Sequence, residues 1–171
     1  KKVLLKAREW LKKSQFTEKT ASSKVAAGGI GYGKGKAVAD LSNTQMALEA
    51  LYVTRDIEKE GTAARDVKTT LESFKMADEF LSRCQALPGT NDQKWAKNVN
   101  GDDVGGFIYS PDRVKVEKDG TKTDHKVYGS MTYAGLKSMI YAGYMKDDKL
   151  NKDDPRVKAA VDWASKNYSV D

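Results

Sequence analysis

The sequence feature that most constrains the fold is an internal repeat in which a glycine-containing loop leads into a nearly uncharged helix. One copy begins at Gly28-Gly29 and continues into residues 42–51, and the other begins at Gly105-Gly106 and continues into residues 130–139. Both helices have the spacing Ser-x-Thr-x-x-(Ala or Gly)-Leu, although the second loop is longer. A spacing that recurs along a chain is typical of proteins that stack one supersecondary unit on the next.

Apolar residues at helical steps of three and four predict five helices, at about residues 2–14, 40–55, 62–85, 130–144 and 155–168. The first, third and fifth carry charged residues on one side, which predicts outer helices. The second and fourth carry few charges and are expected to be inner helices. In the first helix, Arg8 is assigned with the lysines to the outer side, and Trp10 to the apolar stripe.

The sequence also predicts where two of the helices begin, and it leaves one question open in the second long loop. Asp40 is expected to cap the second helix, and Asp153 or Asp154 before Pro155 to cap the fifth. Two runs of alternating polarity, residues 107–110 and 114–118, leave open whether a small hairpin projects from this loop.

The composition excludes several classes of protein. With 39% hydrophobic and 32% charged residues among 171, the chain is ordinary for one globular domain spanning 1–171. The net charge of +6 comes from basic residues dispersed among acidic ones, without the basic stripe expected of a nucleic-acid partner. No run approaches the roughly 18 apolar residues of a membrane span. A single cysteine, Cys84, excludes an internal disulfide and leaves the redox compartment open.

The outer helices end in a shared motif, Trp10-Leu11-x-x-x-Gln15 in the first and Phe80-Leu81-x-x-x-Gln85 in the third. Followed by a Gly-Gly-x-Gly-Tyr loop, this motif resembles the repeat of squalene cyclases and protein prenyltransferases. The closer resemblance is to an uncharacterised branch of bacterial proteins with prenyltransferase and squalene-oxidase repeats. Members of this terpenoid cyclase-like superfamily fold as α/α toroids. The resemblance therefore implies an all-α partial α/α toroid of alternating outer and inner helices with long glycine-containing loops.

The resemblance also implies that the chain is a fragment. A toroid of this family has more helix pairs than the two and a half found here, so we expect further repeats in a longer protein. Open ends of the arc would leave apolar surface in water, which favours self-association. The chain begins Lys1-Lys2 without an initiator methionine, which indicates a processed or excised end. The compartment stays open, and export from a bacterium with a signal segment outside this chain is compatible with it.

The family pattern assigns structural roles to the repeat-motif residues. Gln15 and Gln85 are expected to hydrogen-bond a neighbouring helix start or glycine loop. Tyr32 and Tyr109, the aromatic residues of the two loops, are expected to pack beside these glutamines. The glycine pairs Gly28-Gly29 and Gly105-Gly106 form the loops themselves.

The catalytic motifs of the family are missing from this chain. Cyclases protonate their substrate with Asp-x-Asp-Asp, in which neighbouring groups set the proton affinity of the acid. The sequence has no such motif, and its Asp-Asp pairs lack the spacing that holds magnesium on a diphosphate. Prenyltransferases bind zinc with Asp, Cys and His, but here Ser82 stands two residues before Cys84, and the one histidine, His125, lies in another loop. Neither a metal nor a cofactor is expected.

Aromatic residues of the fourth helix suggest a ligand cavity as one alternative and ordinary core packing as the other. The candidate lining residues are Tyr128, Tyr133, Met139 and Tyr141. The function expected is a non-catalytic helical-repeat module that binds a protein, an apolar ligand or a glycan. The alternative is part of a terpenoid-cyclase-like or polysaccharide-lyase-like enzyme whose catalytic residues lie in other repeats.

Overall fold

The computed structural model describes residues 1–32, 38–59, 64–116, 123–149 and 151–168, and it is mostly helical, as predicted. The α-helices in these ranges are α1 (Lys2–Ser14), α2 (Leu41–Val53), α3 (Asp56–Lys59), α4 (Ala64–Cys84), α5 (Gly129–Asp147) and α6 (Pro155–Asn167). Five of them match the predicted helices within a few residues at each end. The short helix α3 is not predicted by any apolar periodicity.

Capping side chains fix where two of the helices begin. The Asp40 carboxylate accepts a 2.8 Å hydrogen bond from the backbone N–H of Asn43, as the sequence predicts for α2. Asp154 accepts from the backbone N–H of Arg156 at 2.8 Å, with Pro155 at the first helical position of α6. Both carboxylates satisfy amides that have no partner inside the helix.

The described parts of the loops contain four very short strands. Strand β1 (Ile30–Gly31) pairs antiparallel with β2 (Ala39–Asp40), and β3 (Lys115–Val116) pairs antiparallel with β4 (Thr123–Asp124). The second loop therefore carries a hairpin, in which part of the second run pairs with residues 123–124 rather than with the first run. Residues 107 and 108 instead form single bridges with Gln85 and Val127. Residues 117–122, which include the end of the second run, lie outside the described residues.

The two nearly uncharged helices, α2 and α5, pack side by side, and α4 packs against both. Helix α1 contacts α2 and α4, while α6 contacts α5. Leu48 of α2 is buried and Leu136 of α5 is half-buried, whereas Lys68 and Lys158 on the charged helices are exposed. The largest fully buried apolar side chains come from α2, α4 and the second loop: Leu41, Leu48, Leu51, Phe80, Leu81 and Phe107.

The repeat seen in the sequence recurs as a repeated hydrogen-bonded joint. In the first joint, Gln15 at the end of α1 donates from Nε2 to the carbonyls of Gly28 and Ser73, each at 2.8 Å. In the second joint, Gln85 at the end of α4 donates to the carbonyls of Gly105 and Arg156 at 3.0 and 2.9 Å. Gln15 thus ties α1 to its glycine loop and to α4, and Gln85 ties α4 to its glycine loop and to α6. We call α1 with α2 the first unit and α4 with α5 the second unit.

The glycines of the joints are required by close backbone contacts. Gly28 and Gly105 have φ of +89° and +96°, which L side chains rarely adopt. A Cβ on Gly28 would lie 2.0 Å from the Met76 carbonyl oxygen, and a Cβ on Gly105 would lie 2.2 Å from that of Ala159. These contacts let the next outer helix lie directly on the loop.

The aromatic residue predicted for the first joint does not lie beside its glutamine. Tyr32 is 72% exposed, so it is not a packing partner of Gln15, while Tyr109 is half-buried. Two other aromatic rings lie against the glycine pairs: a Cβ on Gly29 would meet the Phe80 ring at 2.8 Å, and one on Gly106 would meet the Trp163 ring at 2.9 Å. Phe80 of α4 and Trp163 of α6 therefore each cover the glycine pair of the preceding loop.

Trp10 of α1 occupies the position equivalent to Phe80, yet it is 63% exposed rather than part of the buried stripe. Among the described residues, no glycine pair lies against the Trp10 ring.

Candidate functional site

The exposed side of the two inner helices carries a group of tyrosines that we call the tyrosine face. Tyr133, Lys137, Tyr141 and Tyr144 follow one another at helical spacing on α5, so they share one side of that helix. Met46, Glu49 and Tyr52 do the same on α2. Because α2 and α5 pack side by side, the two rows form one surface.

Rings in the tyrosine face stack on one another. The Tyr52 and Tyr141 rings are 4.7 Å apart between centroids and inclined by 26°, and Tyr144 lies 6.3 Å from Tyr52. The Arg55 guanidinium covers the Tyr52 ring at 4.1 Å. Tyr133 is 45% exposed and Tyr144 is 40% exposed, so both leave ring surface open to solvent. Such surface is available to a flat apolar ligand face.

An ion pair lies among these rings. Lys137 Nζ is 2.7 Å from Glu49 Oε1, and the Tyr141 hydroxyl donates to the same oxygen at 3.3 Å. The hydrogen bond from Lys137, followed by one from Gln45, holds the pKa of the Glu49 carboxyl below its ordinary value. The hydrogen bond to Glu49 raises the pKa of Lys137. Both groups are therefore charged at neutral pH, and together they offer donors and acceptors beside the aromatic surface.

A second polar group lies where the second loop crosses the start of α2. Asp40 is buried there, and the backbone N–H of Leu41 donates to the Tyr109 carbonyl at 2.8 Å. The Arg113 guanidinium lies 4.8 Å from the Tyr109 ring centroid. Burial, followed by the charge of Asp40, raises the pKa of the Tyr109 hydroxyl, and burial raises that of Tyr128. Both phenols keep their protons at neutral pH, so they are suited to donating hydrogen bonds rather than to accepting a proton.

The four residues expected to line one cavity lie in different surroundings. Met139 is buried between α4, α5 and α6, on a different side of α5 from Tyr141, which stacks on Tyr52. Tyr133 is exposed on the tyrosine face, and Tyr128 is half-buried before the first turn of α5. Helical spacing separates residues 139 and 141 by roughly half a turn, which explains why they face different ways.

Met139 instead belongs to an open groove of about 570 Å³ between α4, α5 and α6, which we call the α4–α6 groove. Its apolar floor is formed by Leu71, Phe74, Met139, Ala142 and Val157. Charged side chains surround this floor, and Arg156 lies among them. Its guanidinium pairs with Asp78 at 3.0 Å and with Asp154 at 2.7 Å, and it also donates to Ser82 Oγ at 2.7 Å.

The corresponding place in the first unit holds a buried ion pair. Arg8 of α1 is 2% exposed, which corrects its assignment to the outer side. Its guanidinium pairs with Glu58 of α3 at 3.0 Å and donates to the Leu51 carbonyl at 2.6 Å. Thr70 donates to both oxygens of Glu58 at 3.0 Å. Sequence reasoning missed this cluster, although Arg8 interrupts the apolar stripe between Leu4 and Leu11 at helical spacing.

The residues considered for zinc lie in different surroundings. Cys84 is fully buried at the end of α4, and burial raises the pKa of its thiol well above the ordinary value. His125 lies in the second loop, with Nε2 3.2 Å from Asp103 and its ring 5.2 Å from that of Trp95. Within the described ranges, no three His, Cys, Asp or Glu side chains are grouped so that they would hold a metal ion.

Comparison with known proteins gives no relative from which to transfer a function. The chain matches no protein-family model, no curated protein and no solved structure. In the parts of the chain that the structure describes, no helix combines the length and apolar character that a membrane crossing needs.

Proposed function

We propose that the chain is a non-catalytic binding module built from squalene cyclase/prenyltransferase-like repeats, an arc of an α/α toroid, and that its tyrosine face binds a glycan. The two equivalent joints, in which Gln15 and Gln85 each tie three segments together, support the toroid-type repeat. The observation that carries the ligand assignment is the tyrosine face itself. It combines half-exposed rings with an exposed ion pair on adjacent helices.

A glycan suits this surface because a sugar ring has an apolar C–H face and a rim of hydroxyl groups. The C–H face packs on an aromatic ring, here Tyr133 or Tyr144. The hydroxyls exchange hydrogen bonds with Glu49 and Lys137, which provide an acceptor and a donor within 2.7 Å of each other. Both partners stay solvated without ligand, so binding does not strand a buried charge.

The same groups are poorly suited to acid–base chemistry. Glu49 is held ionised by Lys137, and its lowered pKa makes it a weak proton acceptor at neutral pH. A proton donor of the cyclase type needs a carboxylic acid that remains protonated, which this environment disfavours. The lowered pKa of Glu49 therefore favours ligand binding over catalysis.

Binding to immobilised oligosaccharides, followed by calorimetry with the best soluble oligosaccharide, tests the proposal. Tyr133→Ala and Tyr144→Ala are expected to weaken binding about ten-fold each, as expected for loss of one well-packed aromatic contact. Tyr168→Ala is the matched control, because Tyr168 is also exposed but lies at the end of α6. Absence of any glycan bound above background, or an equal loss with Tyr168→Ala, would contradict the assignment.

The alternative is that the chain is part of a terpenoid-cyclase-like or polysaccharide-lyase-like enzyme. The grouping of Tyr109 with Asp40 and Arg113 favours it, because a positioned phenol can act as a general acid. The raised pKa of Tyr109 opposes a role as base but allows one as proton donor. Release of unsaturated sugar product that Tyr109→Phe abolishes would establish the enzyme and overturn the non-catalytic assignment.

A further inference from the structure

We propose that the α4–α6 groove binds a short peptide segment of a partner protein, about one helical turn long, that carries an apolar side chain and a lysine or arginine. This site is separate from the tyrosine face. The proposal follows from comparing equivalent places in the two units.

The joints define which positions are equivalent. Gln15 and Gln85 occupy the same position in α1 and α4, so Arg8, seven residues before Gln15, corresponds to Asp78, seven residues before Gln85. By the same reasoning, Ser73 in α4 corresponds to Arg156 in α6, since their carbonyls accept from the two glutamines. Arg8 and Asp78 therefore mark the same place in successive units.

In the first unit, this place is filled by the protein's own chain. The connection after α2 forms α3, whose Glu58 is 4% exposed and lies against Arg8, with Ile57 half-buried beside it. In the second unit, the chain passes from α5 to α6 through residues 148–154, and the described part of that connection contains no helix. Among the described residues, no helix of this connection fills the place in the second unit that α3 fills in the first.

The floor of the open groove is suited to an apolar side chain. Leu71 is 41% exposed although it lies beside buried Phe74, and Met139, Ala142 and Val157 complete the floor. The volume of about 570 Å³ is within the range of pockets that hold ligands in proteins. Covering this floor would remove apolar surface from water, as α3 does in the first unit.

The charge at the equivalent position is reversed. In the first unit, the Arg8 guanidinium faces the carboxylate of Glu58, and Lys12 pairs with Glu9 as well as with Glu58. In the second unit, Asp78 and Asp154 share the single cation of Arg156, which leaves one net negative charge. Among the groove-lining residues that the structure describes, five carboxylates face four cations, although the whole chain has a net charge of +6. A ligand cation complements this site, where a carboxylate complements the first.

Two capped hexapeptides provide the probes. One copies residues 54–59, Thr-Arg-Asp-Ile-Glu-Lys, and the other carries the Glu58→Lys change. Both peptides contain Arg55 and Lys59, so the comparison tests the cation at position 58, the position that faces Arg8 in the first unit. In amide chemical-shift titrations of the whole chain, the lysine peptide is expected to shift Leu71, Ala142 and Val157. It should bind about three-fold more tightly than the glutamate peptide, as expected for one solvent-screened ion pair. The net positive charge of the protein by itself favours the glutamate peptide, so tighter binding of the lysine peptide would reflect the local charge of the groove.

A pair of substitutions locates the binding. Leu71→Arg is expected to weaken the lysine peptide about ten-fold, because it removes apolar floor and adds a cation. Leu4→Arg on α1 is the matched control, since Leu4 is 45% exposed and lies outside the groove. The far-ultraviolet circular dichroism of both variants verifies that each is folded.

The proposal is contradicted if neither peptide shifts the groove amides at millimolar concentration, or if the glutamate peptide binds as well as the lysine peptide. It is also contradicted if Leu4→Arg weakens binding as much as Leu71→Arg. If sedimentation shows a dimer that Leu71→Arg abolishes, the groove binds a second copy of the chain, and the proposal is overturned as well. Loss of glycan binding with Tyr133→Ala leaves the peptide result unchanged, so the two sites are tested independently.

Discussion

The first unit closes with a buried ion pair, whereas the second unit leaves the equivalent place open. Arg8 and Glu58 are both almost inaccessible to solvent, while Asp78 and Arg156 pair at the edge of the α4–α6 groove. The joints around Gln15 and Gln85 are nevertheless alike in donors, acceptors and distances. Similar joints therefore hold α1 to α4 and α4 to α6, while the described parts of the connections after α2 and α5 differ, because only the first contains a helix.

The largest effect on stability is expected from removing the buried ion pair between Arg8 and Glu58. Arg8→Met should lower the free energy of unfolding by about 3 kcal/mol, because it leaves the Glu58 carboxylate buried with fewer partners. Asp78→Asn, at the equivalent position, should cost less than about 1 kcal/mol, since that pair is partly exposed. Urea denaturation measures both, and equal losses would show that the two places are energetically alike.

The next largest effect concerns the glycines that both units share. Gly105→Ala should cost about 2–4 kcal/mol, because it combines positive φ with a contact 2.2 Å from the Ala159 carbonyl. Gly89→Ala is the control, since Gly89 also has positive φ but has nothing within 4 Å of an added Cβ. Thermal unfolding of both variants separates crowding from backbone strain. Similar melting temperatures would mean that the helix can move away from the loop.

Substitution of the two joint glutamines is expected to have a smaller effect on stability, and it compares the two joints directly. Gln15→Leu and Gln85→Leu should each cost about 1–3 kcal/mol, because each leaves two buried carbonyls without their donor. The two losses should agree, since the joints are alike. An unchanged melting temperature for either variant would remove the structural role of that glutamine, and a large difference would show that the joints are unequal.

The smallest effect is a dependence on pH. Burial alone would raise the pKa of Glu58, but hydrogen bonds from Arg8 and Thr70 outweigh it and hold the pKa below the ordinary 4.5. A lowered carboxyl pKa stabilises the folded state above pH 4.5, and this stabilisation is lost as pH falls through the folded-state pKa. The stability difference between the wild type and Glu58→Gln should therefore shrink between pH 7 and pH 3. A constant difference in urea titrations would show that Glu58 titrates normally.

Sequence periodicity predicted the all-α class, five helices and the Asp40 cap, because these depend on spacing within one segment. It did not predict that Arg8 would be buried, since that depends on Glu58, which is fifty residues away and belongs to a helix too short to show a period. Tyr32 was misplaced for a similar reason: the ring that covers its loop comes from Phe80 on the next outer helix. The α4–α6 groove also lacked a signal, because it results from a short connection rather than from any residue pattern.

The exposure of Trp10 gives the molecule a spectroscopic reporter. Trp95 and Trp163 are buried, so Trp10 contributes most of the long-wavelength part of the tryptophan emission. Any contact that covers this side of α1 would move the emission to shorter wavelength, whereas unfolding would move it to longer wavelength by exposing the other two rings. The direction of the spectral change therefore distinguishes assembly at this edge from loss of structure, without any label.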